Sequence, residues 1–217
     1  MKDLPAIRGR HYIAALVAEG EHDTQDFKFA ISAVHKIARS ISAFANARGG
    51  HLLIGVKDNG TIAGVRNEED MYVVELAAQR YCDPPQQVEF TAFRVDAQTI
   101  VIRASVAKAE ERPVFVVEAD GRRRAYYRVA DENIVAHPLM VRSWQMDAPI
   151  AFTLNDEASR LLSLLASNPE GMDTRSIAIN LHLSQRRAET LITQMVSARV
   201  LAFTYHAPHF KITQNDE

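Results

Sequence analysis

The sequence predicts an α/β (α+β) protein in two parts: a mixed-sheet domain over residues 1–148, then a smaller helical domain with a terminal hairpin over 149–217. Three observations carry this. Strand-like and helix-like runs interleave up to residue 146, with hairpin signals at Asp58-Asn59-Gly60 and Asp120-Gly121. From Asn155 onward the pattern changes to three capped amphipathic helices and one strand pair. Between the two regimes, Ala148-Pro149 is the best linker. A chain of 217 residues is long enough for one large domain or two small ones.

The elements follow in order. Ile13 to Val17 begins a helix that stops at Glu19-Gly20. Asp26-Phe27-Lys28-Phe29-Ala30 alternates polar and apolar and reads as a strand. Alternation then puts Asp26 and Lys28 on one face, opposite Phe27 and Phe29. Val34, Ile37, Ala38, Ile41 and Phe44 form the apolar face of a helix, which ends at Gly49-Gly50. His51 to Val56 is a short buried strand, and Thr61 to Val65 is its expected hairpin partner. Residues 68–80 read as helix. Val88 to Val95, Thr99 to Val106, Val114 to Glu118 and Ala125 to Val129 read as strands. Asp131 to Met146 reads as one helix with an acidic first turn.

In the second domain Asn155 caps a helix through Leu165, with Ala158, Leu161, Leu162 and Leu165 on one face. Either Asp173 or Thr174 caps a short helix through Asn180. Ser184 caps a third, whose apolar positions are Ala188, Leu191, Ile192, Met195 and Val196. Val200 to Phe203 and His209 to Ile212 bracket Pro208 as two strands. This order resembles a winged helix-turn-helix. The resemblance implies that the third helix enters the major groove of DNA. Gln185, Arg186, Arg187 and Thr190 would then meet DNA, and Lys211 on the hairpin would lie near phosphates.

Bulk properties exclude several classes. No stretch approaches the roughly 20 apolar residues that span a bilayer. Met1 to Pro5 is followed by no apolar core, so no signal peptide is expected and the cytoplasm is the expected location. Cys82 is the only cysteine, which rules out a disulfide within the chain. Net charge is −2, so a nucleic-acid surface would have to be local. Residues 151–217 alone hold six Lys/Arg against seven Asp/Glu.

Three stretches resemble the Schlafen AlbA-type family, also described as divergent AAA ATPases. They are Glu21 to Lys28; Ser42 to Gly60, with its Asn46-Ala47-Arg48-Gly49-Gly50 segment; and Tyr126 to Asp131. The family position usually held by glutamate is Asp26 here. With a winged helix behind such a domain, the resemblance implies a DNA-binding transcriptional regulator, acting as a homodimer on paired half-sites and needing no cofactor.

The resemblance also implies an alternative. Schlafen nucleases use three carboxylates at places that match Glu21, Asp26 and Asp58, and such a set would hold Mg²⁺ or Mn²⁺ to activate water at phosphorus. Lys28 could neutralise a nearby phosphate. Against this, Asp58 also suits the start of an Asp-Asn-Gly turn. A nucleotide-sensing module is a third possibility, but no Gly-x-x-x-x-Gly-Lys-Ser/Thr motif is present. Asn46 and Gly49-Gly50 read as a helix stop or as a phosphate loop. Arg122, Arg123 and Arg124 at a hairpin tip read as phosphate contacts or as a solvated turn.

Overall fold

A computed structural model describes residues 4–29, 31, 33–66, 69–146 and 152–215. It divides into two compact units, Met1–Ala136 and His137–Glu217. The expected linker at Ala148-Pro149 lies outside the described residues.

The first unit runs β1 (Ile7–Arg8), α1 (Arg10–Glu19), β2 (Gln25–Lys28), α2 (Val34–Asn46), β3 (Gly50–Ile54) and α3 (Glu69–Leu76). A π-helical turn, Ala77–Tyr81, then leads into β4 (Cys82–Asp83), β5 (Val88–Arg94), β6 (Ile100–Val106), β7 (Phe115–Val117), β8 (Arg123–Val129) and β9 (Glu132–Val135). One sheet has the order β1-β5-β6-β3-β2. It is mixed: β1 with β5 and β2 with β3 are parallel, and the other pairs are antiparallel. The other sheet, β4-β7-β8-β9, is antiparallel throughout.

Strand periodicity sorts the core onto two faces of the five-stranded sheet. Phe27, Leu53, Phe93 and Val101 point to one face, where Ile13 of α1 covers them. Leu52, Ile54, Ala92, Ile102 and Ala104 point to the other, where Ile37, Ile41 and Phe44 of α2 cover them. The second sheet closes on the far side of α2 through Val116 and Tyr126. A helix held between two sheets must bury its polar stripe as well, and Ser40, Ser42 and Asn46 are all buried.

Buried polar groups cost free energy unless bonded. Asn46 meets that demand. Its Nδ2 donates to the carbonyls of Val114 (2.9 Å) and Tyr126 (2.9 Å), and its Oδ1 accepts from the Val114 amide (2.8 Å). It therefore ties the end of α2 to the second sheet. Gly49 follows at φ +80°, and a Cβ there would stand 3.0 Å from the Val106 carbonyl oxygen. Of the two readings of this segment, the geometry fits helix termination and close packing.

Two expectations fail in the first unit. Thr61 to Val65 forms no strand beyond a single bridge between Val56 and Ile62. Nor is Asp131 to Met146 one helix. Ala130 turns the chain at φ +51°, and β9 returns antiparallel to β8, pairing Tyr127 with Ile134. The helix is only α4 (Pro138–Trp144), with Pro138 at its first turn and His137 as its cap. A sheet edge with room for another strand outweighed the acidic first turn, and proline's missing N–H is harmless only at a helix start.

The second unit continues with α5 (Asp156–Ala166), α6 (Thr174–Leu181), α7 (Gln185–Ser197), β10 (Leu201–His206) and β11 (His209–Gln214). The caps are Asn155, Asp173 and Ser184, each side chain accepting from an amide three residues on. Leu161, Leu165, Ile177, Leu181, Leu191, Ile192 and Met195 fill one core, closed by Leu201 and Ile212 of the hairpin. Met172, just before α6, bridges to Ile212 as a third strand position. His182 ends α6 in the left-handed region at φ +54°, which lets α7 start soon after it.

Candidate functional site

A cleft of about 570 Å³ in the first unit gathers charged groups from four elements. The segment before β2 contributes Glu21, and β2 itself contributes Asp26 and Lys28. The polar stripe of α2 contributes Lys36, Arg39 and Ser40. The turn after β3 contributes Asp58. The β8–β9 hairpin contributes Arg128, Asp131, Glu132 and Asn133. Asp58, distant in sequence, thus lines one cavity with Glu21 and Asp26.

Asp26 sits at its floor, almost wholly buried. Its Oδ1 accepts from Lys28 Nζ at 2.8 Å and its Oδ2 from Ser40 Oγ at 3.1 Å, while Arg128 lies 3.7 Å away. Lys28 therefore shares a face with Asp26, as alternation along the strand requires. Glu21 accepts the Phe27 amide at 2.7 Å.

The two carboxyls share a hydrogen bond and titrate apart. Burial pushes Glu21 up to about 7, helped by the bond with Asp26 and by its charge. Burial opposes ionisation of Asp26 too, but the bond from Glu21 and the charges of Lys28 and Arg128 outweigh it and hold Asp26 below its usual range.

This gives a direct expectation. In a ¹³C-detected NMR titration the Glu21 carboxyl should show a midpoint near 7 rather than 4.5. A group with a raised folded-state value contributes stability that is fully present below its unfolded value and lost as pH rises through the folded one. Glu21→Gln should therefore gain stability relative to the parent between about pH 5 and 8. A Glu21 midpoint near 4.5 would show that burial and Asp26 do not hold the proton on this carboxyl.

Arg128 organises the floor. It is buried on β8 and reaches across to β2: Nε donates to the His22 carbonyl at 3.2 Å and one terminal nitrogen to the Gln25 carbonyl at 3.1 Å. Its other terminal nitrogen donates to Asn133 Oδ1 at 3.0 Å, and the guanidinium lies over the Phe44 ring. Nearby, Arg39 forks onto buried Glu118 at 3.0 and 2.7 Å, which holds that carboxyl below its usual range.

The arrangement fits a metal ion poorly. Both oxygens of Asp26 are engaged, Glu21 is half protonated near neutral pH, and no three His, Cys, Asp or Glu side chains among the described residues are placed to hold an ion.

The other expected residues lie elsewhere. Arg122 and Arg124 pair with Asp120 on their own turn, at 3.8 and 3.0 Å. Arg123 pairs with Asp83 at 2.6 Å and covers the Phe115 ring. None of the three lines the cleft. In the second unit Gln185, Arg186, Arg187 and Thr190 lie exposed on the first turns of α7, and Lys211 is half-buried on β11. Arg187 is held by Glu157 of α5 at 2.7 Å, and Gln185 donates to Glu189 at 3.1 Å. Arg186 makes no ion pair among the described residues.

Sequence reasoning missed Lys36, Arg39 and Ser40 as cleft residues. Their spacing along α2 was the available signal, since residues three and four apart share one helix face.

Among curated proteins none matches the chain. Two solved structures are similar in part. The DIP2311 protein from Corynebacterium diphtheriae shares 19% identity, with a TM-score of 0.47, over 94% of this chain and 37% of that one. The chain thus spans 37% of the length of that protein. The N-terminal domain of a protein from Nitrosomonas europaea, described as related to the ATP-dependent DNA helicase RecG, shares 14% identity, with a TM-score of 0.43, over 69% of this chain and 97% of that one. The model of the Schlafen, AlbA_2 family matches residues 21–137, more than half of the chain, and the chain belongs to that family.

Proposed function

We propose that the chain is a cytoplasmic DNA-binding protein that regulates transcription through its second unit. The observation that carries this reading is α7. It starts with exposed Gln185 and Arg186, stands on a packed three-helix core, and is followed by a β-hairpin that Met172 extends. This order supports reading the unit as a winged helix-turn-helix, in which the first turns of the third helix face base edges. The association of the Schlafen AlbA_2 family with nucleic acids supports it. The two units then divide the work, with the first forming a homodimer that spaces two half-sites.

Of the two arginines that open α7, Arg187 is restrained by Glu157, while Arg186 has no ion-pair partner among the described residues. Arg186→Ala should weaken binding to duplex DNA and flatten the salt dependence by about 0.9 in log–log slope for each phosphate left unneutralised. Its melting temperature should hold, because the substitution breaks no described ion pair. Fluorescence anisotropy across a salt series measures both affinity and slope, and unchanged values would overturn the reading. Light scattering on the same samples should report a dimer.

One observation favours a second reading, a nuclease acting on RNA or single-stranded DNA: Glu21, Asp26 and Asp58 converge on one cleft with Lys28. On this reading the engaged oxygens of Asp26 would have to be released before a metal could bind. Incubation with tRNA and single-stranded DNA in Mn²⁺, beside Asp58→Ala, decides it. Cleavage that disappears in the variant would make the protein an enzyme.

A further inference from the structure

A second cleft of the first unit, about 440 Å³, opens where β1 leads into α1 beside the end of β5. Arg8 and Arg94 are direct partners in the parallel β1–β5 register, so two cations stand side by side. Arg10 adds a third from the first residue of α1. All three are exposed, and among the described residues none makes an ion pair. Like charges on neighbouring strands repel. The one carboxylate in the lining, Asp96, has its Oδ1 turned to the amides of Gln98 (2.9 Å) and Thr99 (2.8 Å). The cleft therefore carries an excess of positive charge at a fixed place.

Its wall is aromatic as well as basic. Tyr12 lines it, 40% exposed, with its ring 4.9 Å from that of Phe93 and its hydroxyl accepting from Arg103. The ring is thus held in one pose with part of its surface open. Gly9 sits between Arg8 and Arg10, where a Cβ would stand 2.5 Å from the Phe93 ring, so the backbone carrying the arginines is pressed onto that ring. Guanidinium forks match phosphate oxygens, and an exposed tyrosine face suits a nucleobase.

We propose that this cleft binds the terminal phosphate monoester of a nucleotide, with Arg8, Arg10 and Arg94 taking the phosphate and Tyr12 taking the base. No residue of the acidic cleft or of α7 lines this site, so it stands or falls independently of the DNA-binding reading. The phosphate has two possible sources: a free mononucleotide, or the 5′ end of a strand.

The test titrates the full chain with adenosine 5′-monophosphate, inorganic phosphate, and one short oligonucleotide with either a 5′-phosphate or a 5′-hydroxyl. Saturable binding of the monophosphate is expected. Arg8→Gln and Arg94→Gln should each weaken it about tenfold, the effect of removing one charge-assisted hydrogen bond. Both side chains are exposed, so an unchanged melting temperature checks the fold, and Arg94→Lys should be weakened despite keeping the charge. Tyr12→Ala should weaken the nucleotide but not inorganic phosphate. Arg186→Ala should change none of this. Tighter binding of the 5′-phosphorylated strand than of the mononucleotide assigns the strand end as the source, and the reverse assigns the free nucleotide. Equal binding of the phosphorylated and hydroxyl strands with none of the mononucleotide, or full affinity in the arginine variants, overturns the proposal.

Discussion

Arg128→Ala is expected to cost the first unit about 3–5 kcal/mol, the penalty typical of breaking a buried charged pair from one side. The side chain ties β8 to the carbonyls of His22 and Gln25 at the entry to β2, and it stands beside buried Asp26. Its removal leaves two carbonyls without that donor and leaves Lys28 as the one cation paired with Asp26 among the described residues. Arg128→Lys should recover only part of the loss, because an ammonium cannot reproduce a fork that reaches three acceptors. Urea unfolding followed by circular dichroism reads the change as a lowered midpoint. Trp144, the only tryptophan, lies in the second unit, so its fluorescence should report an unmoved transition there. A circular dichroism midpoint equal to that of the parent would show that the buried arginine contributes nothing net.

Asn46→Ala should cost about 3 kcal/mol, since each buried group left without its partner costs roughly 1–3 kcal/mol. The amide of Val114 loses its acceptor, and the carbonyls of Val114 and Tyr126 lose a donor. Asn46→Asp separates bonding from shape. A carboxylate keeps the acceptor but turns an oxygen toward two carbonyls and buries a charge, so it should be at least as damaging. Differential scanning calorimetry gives both values. An aspartate variant as stable as the parent would remove Asn46 from its place as the tie between α2 and the second sheet.

Local patterns determined much of this protein without help from the rest of the chain. The caps Asn155 and Ser184, the apolar stripes of α2, α5 and α7, and the turns at Asp58 and Asp120 are all written in neighbouring residues, because capping, helix periodicity and turn chemistry act within about four positions. The same local rule set Asp26 and Lys28 on one face of β2. What only the tertiary structure decided depends on partners far away in sequence. The run from Asp131 carried helix signals, yet it became β9 because β8 offered an open edge. Arg122 to Arg124 read as phosphate contacts or as a solvated turn, and only the fold shows that they pair with Asp120 and Asp83. Asn46, which suited a phosphate loop, is consumed by Val114 and Tyr126. Glu21 and Asp26 could be named from the chain, but not their unequal affinity for one proton. That inequality comes from burial and from Lys28 and Arg128 converging on one carboxylate, and Arg128 arrives from a strand far along the chain.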